Sequence, residues 1–134
     1  MQDNLTFDTE SILALFFDEP GATFVANLFQ KVQNGEVAGY INIFNLTEVY
    51  YSLARRDSKA AEEKLKVLRA FGLKVVPVED NDLWREAALL KNKYLLSLGD
   101  SFAVATAQAL KSKLVVGSDK ELKNIDIPLI KIRK

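Results

Sequence analysis

Two hydrophobic patterns alternate along the chain. Val25, Leu28, Phe29 and Val32 recur at helical spacing and predict a helix over Ala22–Gln33, stopped by Asn34-Gly35. A shorter helix is expected over Glu10–Phe17, ended by Asp18-Glu19-Pro20-Gly21. Asn45 opens a helix through Arg56, and Ser58 caps another to Phe71, with Gly72 as the residue past its end. Two more follow, from Asn81 or Asp82 to about Tyr94 and over the Ala-rich Ser101–Lys111. Between them lie short apolar runs that predict strands: Leu5–Phe7, Gly39–Ile43, Leu73–Val76, Leu114–Val116 and Leu129–Ile132, with a short helical turn from Lys120. Strands alternating with helices indicate an α/β fold with a mostly parallel sheet of about four to five strands and helices on both faces. The runs Leu73-Lys74-Val75-Val76 and Leu114-Val115-Val116 fit parallel strands buried on both faces. In such sheets ligands bind beyond the carboxyl ends of the strands. Polar residues that follow strands or begin helices therefore matter most.

The chain has 134 residues, 49% hydrophobic and 27% charged, which fits one folded domain over 1–134 and excludes a disordered chain. No repeat, low-complexity stretch or linker is visible. Lysine plus arginine equals aspartate plus glutamate, so net charge gives nucleic-acid binding no support and any basic patch is local. The longest apolar run, Ile12–Phe17, is too short to span a bilayer, and the N-terminus lacks an export signal. A cytoplasmic protein without membrane contact is expected. Cysteine and histidine are both absent. Their absence removes disulfides, thiol nucleophiles, histidine bases, and zinc or iron sites built from cysteine or imidazole. Neither GxGxxG nor GxxxxGK[ST] occurs. For an enzyme, carboxylate chemistry or carboxylate-bound hard cations remain the leading choices.

Four acids stand where such a sheet would gather them. Asp8 and Asp119 directly follow strands, and Glu48 and Asp100 lie at helix starts. Each alone has an ordinary reading. An Asp that starts a helix caps it, contributing about 1 kcal/mol, and Asn45-Leu46-Thr47-Glu48 resembles a capping box. As a set on one sheet edge they would repel. At an effective dielectric near 20, a pair about 5 Å apart costs roughly 3 kcal/mol. A divalent cation or retained protons would offset that, and magnesium or manganese suits oxygen-only ligands. Glu79, Asp80 and Asp82 read as caps and dipole partners, Asp18 and Glu19 belong to a turn, and Asp57 helps cap the next helix. Glu62 and Glu63 lie among lysines on a solvated face. Glu10 and Glu121 are each close to a candidate ligand.

The stretches Phe7-Asp8-Thr9-Glu10-Ser11-Ile12-Leu13-Ala14-Leu15, Asn45-Leu46-Thr47-Glu48-Val49, Leu96-Ser97-Leu98-Gly99-Asp100-Ser101-Phe102-Ala103-Val104-Ala105-Thr106-Ala107 and Val115-Val116-Gly117-Ser118-Asp119-Lys120-Glu121-Leu122 carry a resemblance. In this order, over essentially the whole chain, they resemble the PIN-domain ribonucleases, especially the VapC-type toxins of toxin–antitoxin pairs. The resemblance implies a three-layer α/β/α fold and a site holding one or two magnesium or manganese ions. The family's four acids fall on Asp8, Glu48, Asp100 and Asp119, with Asp8 and Asp100 the most direct ligands. It also implies an RNA phosphodiester substrate, an antitoxin partner and a homodimer. Two positions depart from the pattern: Glu10 stands where Ser or Asn is frequent, and Gly117 where a Thr is frequent. Gly117 lacks a hydroxyl that could orient water or metal, which Ser118 could supply.

Substrate phosphates call for cations or donors beyond the metal. Thr9, Arg55, Arg56, Lys93 and Ser118 are the candidates, with Lys91 and Tyr94 beside Lys93; for the basic residues, favourable charge at a helix C-terminus is the plainer reading. Gly99 could admit a phosphate to the backbone or simply enter a helix. Tyr50 and Tyr51 are better read as core or dimer contacts than as base-stacking platforms. Trp84 is expected to be buried. Leu15, Phe16, Phe17 and Phe29 could exceed what the core covers and form a dimer or antitoxin surface. Three competing functions remain: a non-catalytic RNA- or protein-binding domain of the same fold, a phospho-receiver, and a small acid-pair hydrolase. The receiver needs an Asp ending its central strand, where this chain has Val75-Val76-Pro77.

Overall fold

The computed structural model describes residues 3–79, 81–118, 121–122 and 124–133. Along the chain run β1 (Asp3–Phe7), α1 (Thr9–Phe16), α2 (Ala22–Gln33), β2 (Val37–Asn42), α3 (Ile43–Arg56), α4 (Ser58–Phe71), β3 (Lys74–Val76), α5 (Asn81–Tyr94), α6 (Leu98–Leu110), β4 (Lys113–Val116) and β5 (Leu129–Lys131). Among the described residues these strands form one sheet in the order β3-β2-β1-β4-β5, with every pairing parallel. The chain winds outward from β1 through β2 to β3, then returns to place β4 on the other side of β1. The winding therefore reverses between β1 and β4, and a crevice opens beyond their carboxyl ends.

Side-chain alternation along the central strands divides the interior into two layers. Leu5 and Phe7 of β1, Ile41 of β2 and Val115 of β4 pack with Ile12, Val25, Phe29, Val49 and Leu68 from α1–α4. Leu114 and Val116 point the other way, onto Leu83, Ala87 and Leu90 of α5 and Ala103, Val104 and Ala107 of α6. The result is a three-layer α/β/α protein. Phe29 is fully buried, a contribution of about 1.5–3 kcal/mol, and its ring stacks on Phe7 with centroids 4.8 Å apart. No helix among the described residues is long and apolar enough to cross a membrane.

Several boundaries differ from the sequence reading. The Asn42 side chain accepts from the Phe44 amide at 2.7 Å, so α3 starts at Ile43, with no loop after β2. Asn45 is therefore not a cap, and Glu48 lies beyond the first turn. Asp57, not Ser58, caps α4. Ser97 caps α6, which begins at Leu98, ahead of Asp100. Gly72 ends α4 with a φ of 96°, as its place in the sequence suggests. The run at 73–76 is not buried on both faces: β3 is an edge strand, and Lys74 and Val75 are exposed. Trp84 is exposed rather than buried, at 43%; it lies on the outer side of α5, beside Arg85. Of the four apolar residues assigned to a partner surface, Phe29 belongs to the core, while Leu15, Phe16 and Phe17 are half-buried against it. Arg56 covers the Phe17 ring at 3.8 Å and Lys64 lies 5.5 Å from the Phe16 ring. The helical turn expected from Lys120 begins outside the described residues.

Candidate active site

The crevice between β1 and β4 is a cavity of about 620 Å³. Its lining includes Asp8, Thr9, Glu10, Glu48, Arg56, Ser97, Gly99, Asp100, Ser118, Glu121 and Arg133. Three of the four acids singled out in the sequence are thus in one place, and Asp119 lies outside the described residues. Thr9, Arg56 and Ser118 share the cavity. Arg55 and Lys93 are absent from its lining; each instead lies near an aromatic ring, Arg55 at 5.3 Å from Tyr51 and Lys93 at 5.2 Å from Tyr94.

Asp8 is placed by the end of β1, whose ladder continues through the Asp8 amide to the Val115 carbonyl at 3.0 Å. The capping explanation holds for this residue, because its Oδ1 accepts from the Ser11 amide at 2.7 Å and caps α1. Oδ2 accepts from the Gly117 amide at 3.4 Å, tying β1 to the end of β4. A capping carboxylate ordinarily titrates low, since the amides favour its charge. Asp8 does the opposite. Burial, against which these hydrogen bonds act, together with the Glu10 charge pushes it from 3.8 up to about 6. Capping alone does not account for that environment.

Asp100 lies in the first turn of α6, where its amide donates to Ser97 Oγ at 3.1 Å. Its carboxyl is pushed up to about 7, first by burial, then by the hydrogen bond its protonated form donates to Glu121 and by the charges of Asp8 and Glu121, against a lowering contact with Ser97. Glu121 also accepts from the Ser97 amide at 3.5 Å. Glu121 and Glu10, the two acids that sequence position left ambiguous, therefore both belong to the cavity.

Glu48 is held by a small internal network. Thr9 Oγ1 donates to Glu48 Oε1 at 2.6 Å, so Thr9 serves an acid rather than reaching a substrate. Asn45 Nδ2 donates to Thr9 Oγ1 at 3.1 Å and to the Gly99 carbonyl at 3.0 Å, joining α1, α3 and the start of α6. Asn45 Oδ1 is buried without a hydrogen-bond partner among the described residues. Gly99 does not admit a phosphate on this side. A Cβ there would stand 2.4 Å from Glu48 Oε1, so the bare Cα is the space the Glu48 carboxylate occupies.

The departure at Gly117 has the same explanation. A Cβ at that position would meet the Glu10 side chain at 2.4–2.8 Å, so the larger residue at 10 fills the room left by the missing one at 117. Glu10 pairs with Arg133, whose Nη1 donates to the Pro20 carbonyl at 3.0 Å. Arg133 was not anticipated. The rule that residues following strands gather at this edge applied to β5 as well, and Arg133 lies just past it.

A parallel sheet whose switch point holds buried carboxyl groups and no nitrogen or sulfur ligand defines an α/β protein with an oxygen-only site. The PIN domain family matches residues 5–128, and the chain belongs to that family. No curated protein matches it in sequence. Among solved structures it is similar in fold to a toxin–antitoxin complex from Klebsiella pneumoniae (18% identity, TM-score 0.74, covering 97% of this chain and 98% of that one). VapBC2 from Rickettsia felis, bound to a DNA fragment from its promoter, is similar at 14% identity and TM-score 0.74, over 96% of this chain and 98% of that one. VapC20 from Mycobacterium tuberculosis, described as a sarcin-ricin loop cleaving toxin, is similar at 15% identity and TM-score 0.66, over 87% and 92%.

Proposed function

We propose that this chain is a magnesium- or manganese-dependent endoribonuclease, the toxin of a toxin–antitoxin pair. The observation that carries this reading is that Asp8 and Asp100 share one crevice in which burial and neighbouring acids raise them to about 6 and about 7. A site that strains carboxylates in this way favours a cation that neutralises them. The donors are all oxygens, which suits a hard divalent ion. Among the described residues no three acids form a ready ligand cluster, and Asp119 lies outside them. Asp8 and Asp100 would hold it, with Glu48 and Asp119 alongside. When bound, such an ion polarises a phosphodiester oxygen and makes a coordinated water easier to deprotonate.

The chain's own residues supply the rest. Thr9 and Asn45 fix Glu48, so its remaining carboxylate oxygen can orient a water for attack in line with the leaving oxygen. Arg56 and Arg133 bring positive charge to the acid-lined crevice, where RNA phosphates need it. RNA as substrate and an antitoxin as partner draw support from the printed descriptions of the similar structures. The half-covered Leu15, Phe16 and Phe17 are the surface on which a second copy or an antitoxin would pack, in the cytoplasm.

The test is cleavage of RNA in magnesium by the wild-type protein, Asp8→Asn and Asp100→Asn. Loss of cleavage in both variants, and in wild type with EDTA, is expected. Equal cleavage by all three proteins would sink the proposal and favour a non-catalytic binding domain.

A further inference from the structure

Beyond its charge, Arg133 has a pairing with Glu10 that the chemistry above leaves unused. Both side chains line the crevice, with 44% and 24% of their side chains exposed. Arg133 is brought there by a close approach of two segments. Gly21, with a φ of 97°, lies so near Ile132 that a Cβ would stand 2.7 Å from the Ile132 carbonyl oxygen. The neighbouring Pro20 carbonyl accepts from Nη1, and Glu10 takes Nη2. These bonds engage only part of the guanidinium's fork of donors. Glu10 in turn reaches Arg133 over the bare Gly117. Residues 10, 20, 21, 117 and 133 thus fit together to hold one cation at the mouth of an acidic crevice.

Resting on the ribonuclease reading, we propose that Arg133 grips the RNA backbone and that Glu10 is its resting partner, displaced when a phosphate arrives. Nη2, which holds one Glu10 oxygen, can take a phosphate oxygen in its place, and the guanidinium's remaining donors can reach a second. Glu10 keeps Arg133 extended over the crevice while no RNA is bound and keeps it from folding onto Asp8 and Asp100. The Pro20 carbonyl stays bonded through the exchange and fixes the direction of approach. Arg56 is less suited to the role, since its guanidinium is committed to the Phe17 ring.

The experiment is steady-state cleavage of a fluorescein-labelled single-stranded RNA of mixed sequence in magnesium, across a potassium chloride series. It compares wild type, Arg133→Gln, Arg133→Lys and Glu10→Gln, with thermal unfolding as the fold control. Arg133→Gln is expected to raise KM about tenfold with little change in kcat, and to reduce the salt slope of kcat/KM by about one. Arg133→Lys restores the slope but not the full KM, because it keeps charge without the fork. Glu10→Gln lowers KM, because the amide oxygen still accepts from Nη2 and holds Arg133 extended while competing less well with a phosphate. If Arg133→Gln does not fold, Arg133→Lys against Glu10→Gln carries the comparison. Active wild type with an indifferent Arg133→Gln, or equal rises in KM for Glu10→Gln and Arg133→Gln, overturns this inference alone. Wild type without Asp8-dependent cleavage overturns it together with the ribonuclease reading.

Discussion

Replacing Asp8 with Asn should make the metal-free protein more stable while abolishing cleavage. Asp8 is 3% exposed, and its folded-state pKa is raised from 3.8 to about 6. A raised acid favours the protonated folded state. Its contribution is therefore fully present below about pH 3.8 and is lost as pH rises toward 6, leaving a cost of about 3 kcal/mol above that. Asn removes the charge and keeps an acceptor for the Ser11 amide, but turns a donor toward the Gly117 amide, a loss of about 1 kcal/mol. The expected net gain is about 2 kcal/mol near pH 8 in EDTA, shrinking to about zero near pH 4.5. Urea unfolding at the two pH values measures it. Added magnesium should reverse the order, because binding to the folded state stabilises wild type more than the variant. A less stable Asp8→Asn near pH 8 in EDTA would refute the claim that this carboxylate is held at a cost.

Gly99→Ala separates stability from activity. The new Cβ displaces the Glu48 carboxylate and breaks its bond from Thr9, a loss of about 1 kcal/mol in stability, while cleavage should fall at least about tenfold. Asn45→Leu removes the donor to Thr9 and one of two donors to the Gly99 carbonyl, which keeps its place in the α6 ladder; a loss of about 1 kcal/mol in urea unfolding is expected. Arg55→Ala should leave the KM for RNA unchanged within about twofold, since Arg55 does not line the crevice. A large rise would place the substrate path along the outer side of α3.

The alternation of helix and strand signals was enough to recover the sheet, its helices and the edge on which the acids meet. That rule needs only element order, and the three acids it placed on this edge, Asp8, Glu48 and Asp100, line one crevice. It did not locate the start of α3, because a strand that runs straight into a helix leaves no loop residues and its cap, Asn42, looks like strand. Capping chemistry at Asn45 was plausible by spacing, yet that side chain links three helices, a relation of residues 36 and 54 positions apart. The links of Gly99 to Glu48 and of Gly117 to Glu10 are also long-range. A missing side chain carries no signal until its neighbour is known. The exposure of Trp84 was hidden because an aromatic on a helix reads as core whichever way the helix faces.

The crevice is assembled from opposite ends of the polypeptide. The Gly117 amide meets Asp8 across 109 residues, and β4 must dock beside β1 before that contact exists. During synthesis the first half of the chain can fold its layer of helices onto β1–β3 while the acids it carries still lack their counterparts. Whatever chemistry the crevice performs is withheld until β4 has emerged and docked beside β1.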